Sequence, residues 1–199
     1  MDNPGASIIN YMRSLNYRIR AQNIVYLEGL DPVSDGLRQN SDIIDLWNDL
    51  RLIITDKGEI IHEARATTEP GIYYTDNPLN PKGAARIAFG QYLDAYEFGI
   101  HGRSEQDALV QCGDIAVCRD LNKDGVRTGD KIDVGNHKCN QHTTIGFPST
   151  IEYWSAGCLV GRSPSLHAKF MQLCRDSGRK IFDTTVLDGS KLWELKVLS

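Results

Sequence analysis

Tyr153-Trp154-Ser155-Ala156-Gly157-Cys158-Leu159-Val160 is the stretch on which the reading of this chain turns. A small-residue turn, Ser-Ala-Gly, ends on a cysteine and runs into an apolar pair. Gly157 has no side chain, so a substrate carbonyl can approach the Cys158 sulfur, and main-chain N–H groups beside it can face the oxyanion that forms. A thiolate is a strong nucleophile near neutral pH once a base or a positive environment lowers its pKa. The nearest upstream candidate base is His142, sixteen residues before Cys158, in the extended run Gln141-His142-Thr143-Thr144. A histidine on one strand and a cysteine at the start of a nearby one can meet across a loop of that length. The plain alternative is a small, buried, inert Cys158.

Outward from this stretch, most of the chain has strand character. Asn23–Gly29 reads as a strand and Leu30–Asp45 as a long polar loop. Leu50–Thr55 and Glu59–Ala64 flank Asp56-Lys57-Gly58 as a β-hairpin. Pro70-Gly71 turns into an aromatic strand at Ile72-Tyr73-Tyr74, and Asn77–Gly83 is a turn cluster. Residues 84–101 are extended and broken at Gly90. Ala108–Cys112 and Ile115–Arg119 are expected to pair across Gly113-Asp114, bringing Cys112 opposite Cys118. Two helices are predicted: residues 5–16 after the Asn3-Pro4 cap, and a second after Ser163-Pro164 that ends at Gly178. Two last strands, 180–187 and 191–198, flank Asp188-Gly189. The fold class is mainly β with a few α-helices.

The 199 residues suffice for a real core without disulfides, and a net charge of −4 with no Lys/Arg cluster argues against nucleic acid as a partner. No apolar run reaches the length of a membrane span. The N-terminus shows no signal peptide, and five cysteines at irregular spacing do not form a secreted disulfide pattern. The expectation is cytoplasmic synthesis, with oligomeric state left open.

Two metal readings stand beside the nucleophile. Asp120-x-Asn122-x-Asp124-Gly125 matches the first half of a calcium loop; Lys131 takes the place of the usual final acid, and Asp130 stands one residue earlier. A solvated Asx-rich turn is the alternative. His137, Cys139, His142 and Cys158 have the donor types of a zinc site, at a spacing that fits no common pattern.

The Cys158 stretch and its upstream histidine resemble the L,D-transpeptidase catalytic domain, cysteine enzymes acting on peptidoglycan stem peptides. That signature is a histidine followed, after a dozen or more residues, by Ser/Thr-His-Gly-Cys; here His142 is followed by Ser155-Ala156-Gly157-Cys158. Thr68-Glu69-Pro70-Gly71 is similar to the family's Thr-Pro-x-Gly turn, with the proline displaced. A closer likeness is to phage and bacterial proteins with a Trp-Ser-Ala-Gly-Cys motif after an Asp-x-Asn-x-Asp loop. It takes in Asn23-Ile24-Val25, Trp47-Asn48-Asp49, Thr67–Gly71 and Gly99-x-His101. The motif's histidine is Ala156 here, and its arginine two after the cysteine is Val160, with Arg162 two further on.

The resemblance implies a β-sandwich catalytic domain over 66–199, with residues 1–65 as a helix, strand and hairpin extension packed on it. It implies Cys158 as nucleophile, His142 as base, Gly157 in the oxyanion loop and Ser155 orienting that loop. His101, Arg162 and Trp154 are candidate substrate contacts. The expected activity is cysteine-dependent acyl transfer on peptidoglycan peptides, preferred as hydrolysis at the wall after release or delivery. No cofactor is required beyond possible structural calcium. The alternatives are a cross-linking transpeptidase, a zinc hydrolase and a non-enzymatic structural or wall-binding module.

Overall fold

The structure, a computed structural model, describes residues 3–34, 36–102, 105–195 and 197–198. Position 35 of the expected loop and position 196 of the expected last strand lie outside the described residues.

Asn3 starts the first helix, α1 (Pro4–Ser14), by accepting the Gly5 and Ala6 N–H groups on Oδ1 at 3.0 and 3.3 Å. Ile8, Ile9 and Met12 bury one face of α1 against Val25 and Leu27 of β1 (Gln22–Glu28). The opposite face of β1, Ile24 and Tyr26, joins a second core cluster with Leu159 and Phe170. Burial on both faces explains why β1 reads as a continuous apolar run rather than an alternation. The expected polar loop after it contains a short hairpin, β2 (Leu30–Val33) and β3 (Gly36–Gln39). The next hairpin, β4 (Asp49–Thr55) and β5 (Ile60–Thr67), forms as expected across Asp56-Lys57-Gly58.

Ile72-Tyr73-Tyr74 is helical, in α2 (Ile72–Asp76), not a strand. Gly71 is its N-cap, and a short aromatic run carries no periodicity that separates the two states. The chain continues through β6 (Ala84–Ile87), β7 (Gly90–His101), β8 (Gln106–Gln111), β9 (Ile115–Asp120) and β10 (Lys131–Gly135). The predicted pairing of the segments around Gly113-Asp114 does not occur. β8 pairs with β7, β9 pairs with β6 and β10, and the N–H groups of Cys112 and Gly113 go to the Ala95 carbonyl instead. Cys112 is exposed, Cys118 is buried, and both are free thiols.

After β11 (Gln141–Thr143) and β12 (Leu159–Gly161) comes α3 (Pro164–Asp176), capped by Ser163 as expected. β13 (Ile181–Asp188) is the last strand. The segment after it is a helix, α4 (Gly189–Glu194), because Asp188 Oδ1 accepts the Ser190 and Lys191 N–H groups and so starts a helix rather than a hairpin.

The protein is mainly β with four helices among the described residues. Eight strands close into a barrel in the order β1-β13-β7-β8-β11-β12-β5-β4, and β4 pairs back onto β1. The expected sandwich of two stacked sheets thus takes the form of one closed sheet, with β10-β9-β6 as a separate three-stranded sheet. The expected boundary at 65/66 falls inside β5, and β1, β4 and β5 supply three barrel strands.

Candidate active site

β11 and β12 are parallel neighbours, with Gln141 opposite Leu159 and His142 opposite Val160. One residue earlier Cys158 stands opposite Asn140, and the Leu159 N–H donates to the Asn140 carbonyl at 2.9 Å. Side chains alternate along a strand. Leu159 is in the core, and Gln141 bonds Tyr26 Oη and Thr184 Oγ1 inside it. His142 and Cys158 therefore turn the other way, into a cavity of about 530 Å³. The three-stranded sheet provides its far wall through Ala84, Ala85 and Arg119, and Trp154 and Tyr153 line it beside the cysteine.

Two histidines meet the cysteine. A ring nitrogen of His101, a ring nitrogen of His142 and Cys158 Sγ lie within 4.8 Å of one another. The imidazoles stack with centroids 3.7 Å apart and planes 11° apart. His142 Nδ1 bonds the Thr143 carbonyl at 2.9 Å. A carbonyl only accepts, so Nδ1 carries the proton and Nε2 keeps its lone pair. The group that orients the His142 ring is therefore this carbonyl. Asp133 is engaged elsewhere, pairing with Lys82 and Arg119 at 3.1 and 2.9 Å.

Burial pushes the Cys158 thiol up to about 11, against a lowering by the Asn140 main-chain N–H. Burial also pushes His142 down to about 3, helped by the charges of His101, His167 and Arg51. Both shifts favour uncharged forms. The resting arrangement is a neutral thiol beside a neutral imidazole.

The turn before Cys158 is tightly built. Ser155 Oγ donates to the Cys158 carbonyl at 2.9 Å and accepts the Gly157 N–H at 3.1 Å. Ser155 thus orients the loop. It also occupies the Gly157 N–H, which the sequence reading assigned to the oxyanion; at this turn the Cys158 N–H has no partner among the described residues. Gly157 has φ +123°, and a Cβ there would sit 2.6 Å from the Ala85 carbonyl oxygen. The glycine is needed for both its backbone angle and this close approach.

Residues without a local signature hold the loop from outside. The Gly71 N–H donates to the Ser155 carbonyl at 2.9 Å, so the Thr68–Gly71 turn braces the cysteine loop directly. Asp45 Oδ1 accepts the N–H groups of Ile72 and Glu152 at 2.9 and 2.6 Å, tying α2 to the same loop. Neither Asp45 nor Thr143 is recognisable from local sequence. The partners of Asp45 are 27 and 107 residues away and that of Thr143 is next door, and the bonds use main-chain atoms.

Of the predicted substrate contacts, His101 and Trp154 line the cavity. Arg162 does not: its Nε donates to the Pro148 carbonyl at 2.7 Å, its guanidinium lies over Phe147, and it lines a different cavity with Trp47 and Asp31.

The zinc set is not assembled as expected, since His137 uses its ring nitrogens on Arg119 and the Asp133 carbonyl. The trio that does assemble, His101, His142 and Cys158, has donors suited to zinc. Nearly parallel stacked rings, however, aim their lone pairs side by side rather than at one point.

The segment read from the sequence as half of a calcium loop joins β9 to β10. Asp120 is fully buried, and its Oδ2 accepts from the Gly125 N–H at 3.1 Å and Arg86 Nε at 3.3 Å. Asn122 Nδ2 donates to Asp124 Oδ2 at 2.7 Å, as in an Asx-rich turn. Asp120 Oδ1 and Asp130 Oδ2 are buried without partners, which suits a hard cation.

A comparison with protein-family models, curated proteins and solved structures finds no match for this chain. No helix among the described residues is long and apolar enough to cross a membrane.

Proposed function

We propose that the protein is a cysteine-dependent acyl-transfer enzyme of L,D-transpeptidase type, acting on peptidoglycan stem peptides. The observation that carries this reading is that His142, its Nδ1–H held by a main-chain carbonyl, brings a ring nitrogen within 4.8 Å of Cys158 Sγ, whose resting hydrogen bond is to the Lys138 carbonyl at 3.7 Å. The motif resemblance supplies the substrate class. Cys158 is half-buried at the edge of an open groove, which admits a peptide to the sulfur.

In this mechanism His142 Nε2 takes the thiol proton as sulfur attacks an amide carbonyl. The Cys158 N–H faces the oxyanion, and the imidazolium returns its proton to the leaving amine. A thioester remains on Cys158. Water then enters the same groove and, deprotonated by His142, releases the acid; hydrolysis is the preferred outcome because it needs only access for water, whereas aminolysis needs a second peptide held in place. The competing outcome is aminolysis by a second peptide, which makes a cross-link. The finer fold assignment, a relative of the transpeptidase domain whose sheets are here joined into one barrel, belongs to the same proposal.

The test is incubation with purified muropeptides and a labelled D-amino acid, with products read by mass spectrometry. Free cleavage products are expected first. Faster entry of label marks a transpeptidase. No product from either route removes the peptidoglycan reading.

A further inference from the structure

Asn140 stands opposite Cys158, and both ends of its side-chain amide are bonded. Its Oδ1 accepts the Gln111 main-chain N–H at 2.9 Å. A main-chain N–H only donates, so this bond fixes which end of the amide is oxygen and which is nitrogen. The Nδ2 end then faces His101 Nδ1 at 3.0 Å. An amide NH₂ only donates, so His101 Nδ1 must be the acceptor and the His101 proton sits on Nε2. His142 is held in the opposite form, because its Nδ1–H donates to the Thr143 carbonyl. With both Nδ1 atoms engaged, each ring has only Nε2 left for the sulfur: a bare nitrogen on His142 and an N–H on His101.

We propose that Asn140 is a positioning residue that locks His101 as a neutral Nε2–H donor, and that this N–H stabilises the sulfur anion formed when His142 takes the Cys158 proton. The inference rests on the reading of Cys158 as nucleophile. The proton balance is simple: the thiol proton moves to His142 Nε2, and His101 keeps its own proton and gives only a hydrogen bond. The lock also settles which ring is the base. Protonating His101 at Nδ1 would turn an N–H toward the amide N–H of Asn140, with no acceptor between them. Two stacked cations 3.7 Å apart would repel as well. His142 can thus charge alone. The other charged or titratable groups whose fields reach His142 are His167 on α3 and Arg51 on β4.

Nitrogen-15 spectroscopy of the histidine rings tests the lock on the unmodified protein. His101 is expected with Nε2 protonated and Nδ1 bare, and His142 with the reverse. A protonated Nδ1 on neutral His101 overturns the proposal. A second measurement reads the donor. In a Cys112→Ser background, which removes the exposed thiol, iodoacetamide labelling of Cys158 is followed at pH 8 by peptide mass spectrometry. His101→Phe keeps a stacked ring without the N–H and is expected to slow labelling about tenfold or more, the usual worth of a hydrogen bond to a charged acceptor. His101→Gln retains an N–H and should stay within about threefold of the parent. Asn140→Leu should mix the His101 tautomers and slow labelling by an intermediate factor. Equal loss in the Phe and Gln variants, or none in either, refutes the donor role. These readouts need no wall substrate, so inactivity on muropeptides would strike the substrate reading and leave the sulfur chemistry standing.

Discussion

His62 offers a direct measurement of how this fold treats buried imidazoles. It is 3% exposed on β5, and neither ring nitrogen has a partner. Its ring packs 5.7 Å from that of Phe170, with the Arg51 and Lys169 charges nearby. Burial first, and those two cations next, push it down to about 3. A base whose folded pKa is depressed adds stability above its unfolded pKa and loses it as pH falls. The unfolded chain takes up the proton from about pH 6.5 downward, and the folded protein refuses it until near 3. Each pH unit in that window costs about 1.4 kcal/mol, so at pH 5 His62 alone removes about 2 kcal/mol of stability. His62→Leu fills a similar volume with no titrating group. Urea unfolding of both proteins at pH 7.5, 6 and 5 isolates the effect. The variant's stability relative to the parent should rise by about 2 kcal/mol between pH 7.5 and pH 5. Glu28, raised to about 7, and Asp42, raised to about 6, shift stability in the opposite sense, present at low pH and lost as pH rises. They are common to both proteins and cancel in the difference. Parallel pH curves for the two proteins would refute the neutral, buried assignment.

Other outcomes follow from the site. Cys158→Ala should abolish turnover and His142→Ala should reduce it roughly a thousandfold, with melting temperatures near that of the parent; substantial turnover in Cys158→Ala removes the cysteine mechanism. Because His142 is pushed down to about 3, kcat/KM should show no fall near pH 6.5, where an unperturbed imidazole would protonate; a half-maximal point there contradicts the buried base. Gly157→Ala forces a Cβ to within 2.6 Å of the Ala85 carbonyl oxygen at φ +123°. It should cost about 1–3 kcal/mol by urea unfolding and slow Cys158 labelling, and a silent substitution would mean the turn is looser than described. Added calcium should raise the melting temperature by engaging the partnerless oxygens of Asp120 and Asp130, and chelator should reverse it; indifference to both leaves only the Asx-rich turn.

Local signals in the sequence determined a good part of this protein. Asn3-Pro4 and Ser163-Pro164 mark helix starts because a cap needs only a side-chain acceptor within three residues, and a proline in the first turn has no N–H to waste. Asp56-Lys57-Gly58 marks a hairpin for the same short-range reason. Ser155, Ala156 and Gly157 were legible as a tight turn before Cys158, because small residues in consecutive positions mark one. Short segments without such signals were not legible: Ile72–Asp76 and Gly189–Glu194 are too brief for period to separate helix from strand.

Strand partners are another matter, because alternation shows that a strand has two faces and not which edge it meets. β8 and β9, adjacent in sequence and expected as a hairpin, went to different sheets. The boundary expected at 65/66 dissolved because β5 runs through it into the closed barrel. The site shows the same division. His142 and Cys158 could be nominated from residue type and spacing, but their meeting depends on β11 and β12 lying parallel. The orienting carbonyl of Thr143, the Asp45 brace and the Asn140 amide act through main-chain atoms or over long separations, and no residue type announces them. Only tertiary packing brings His101, fifty-seven residues before Cys158 in the chain, onto the face of His142.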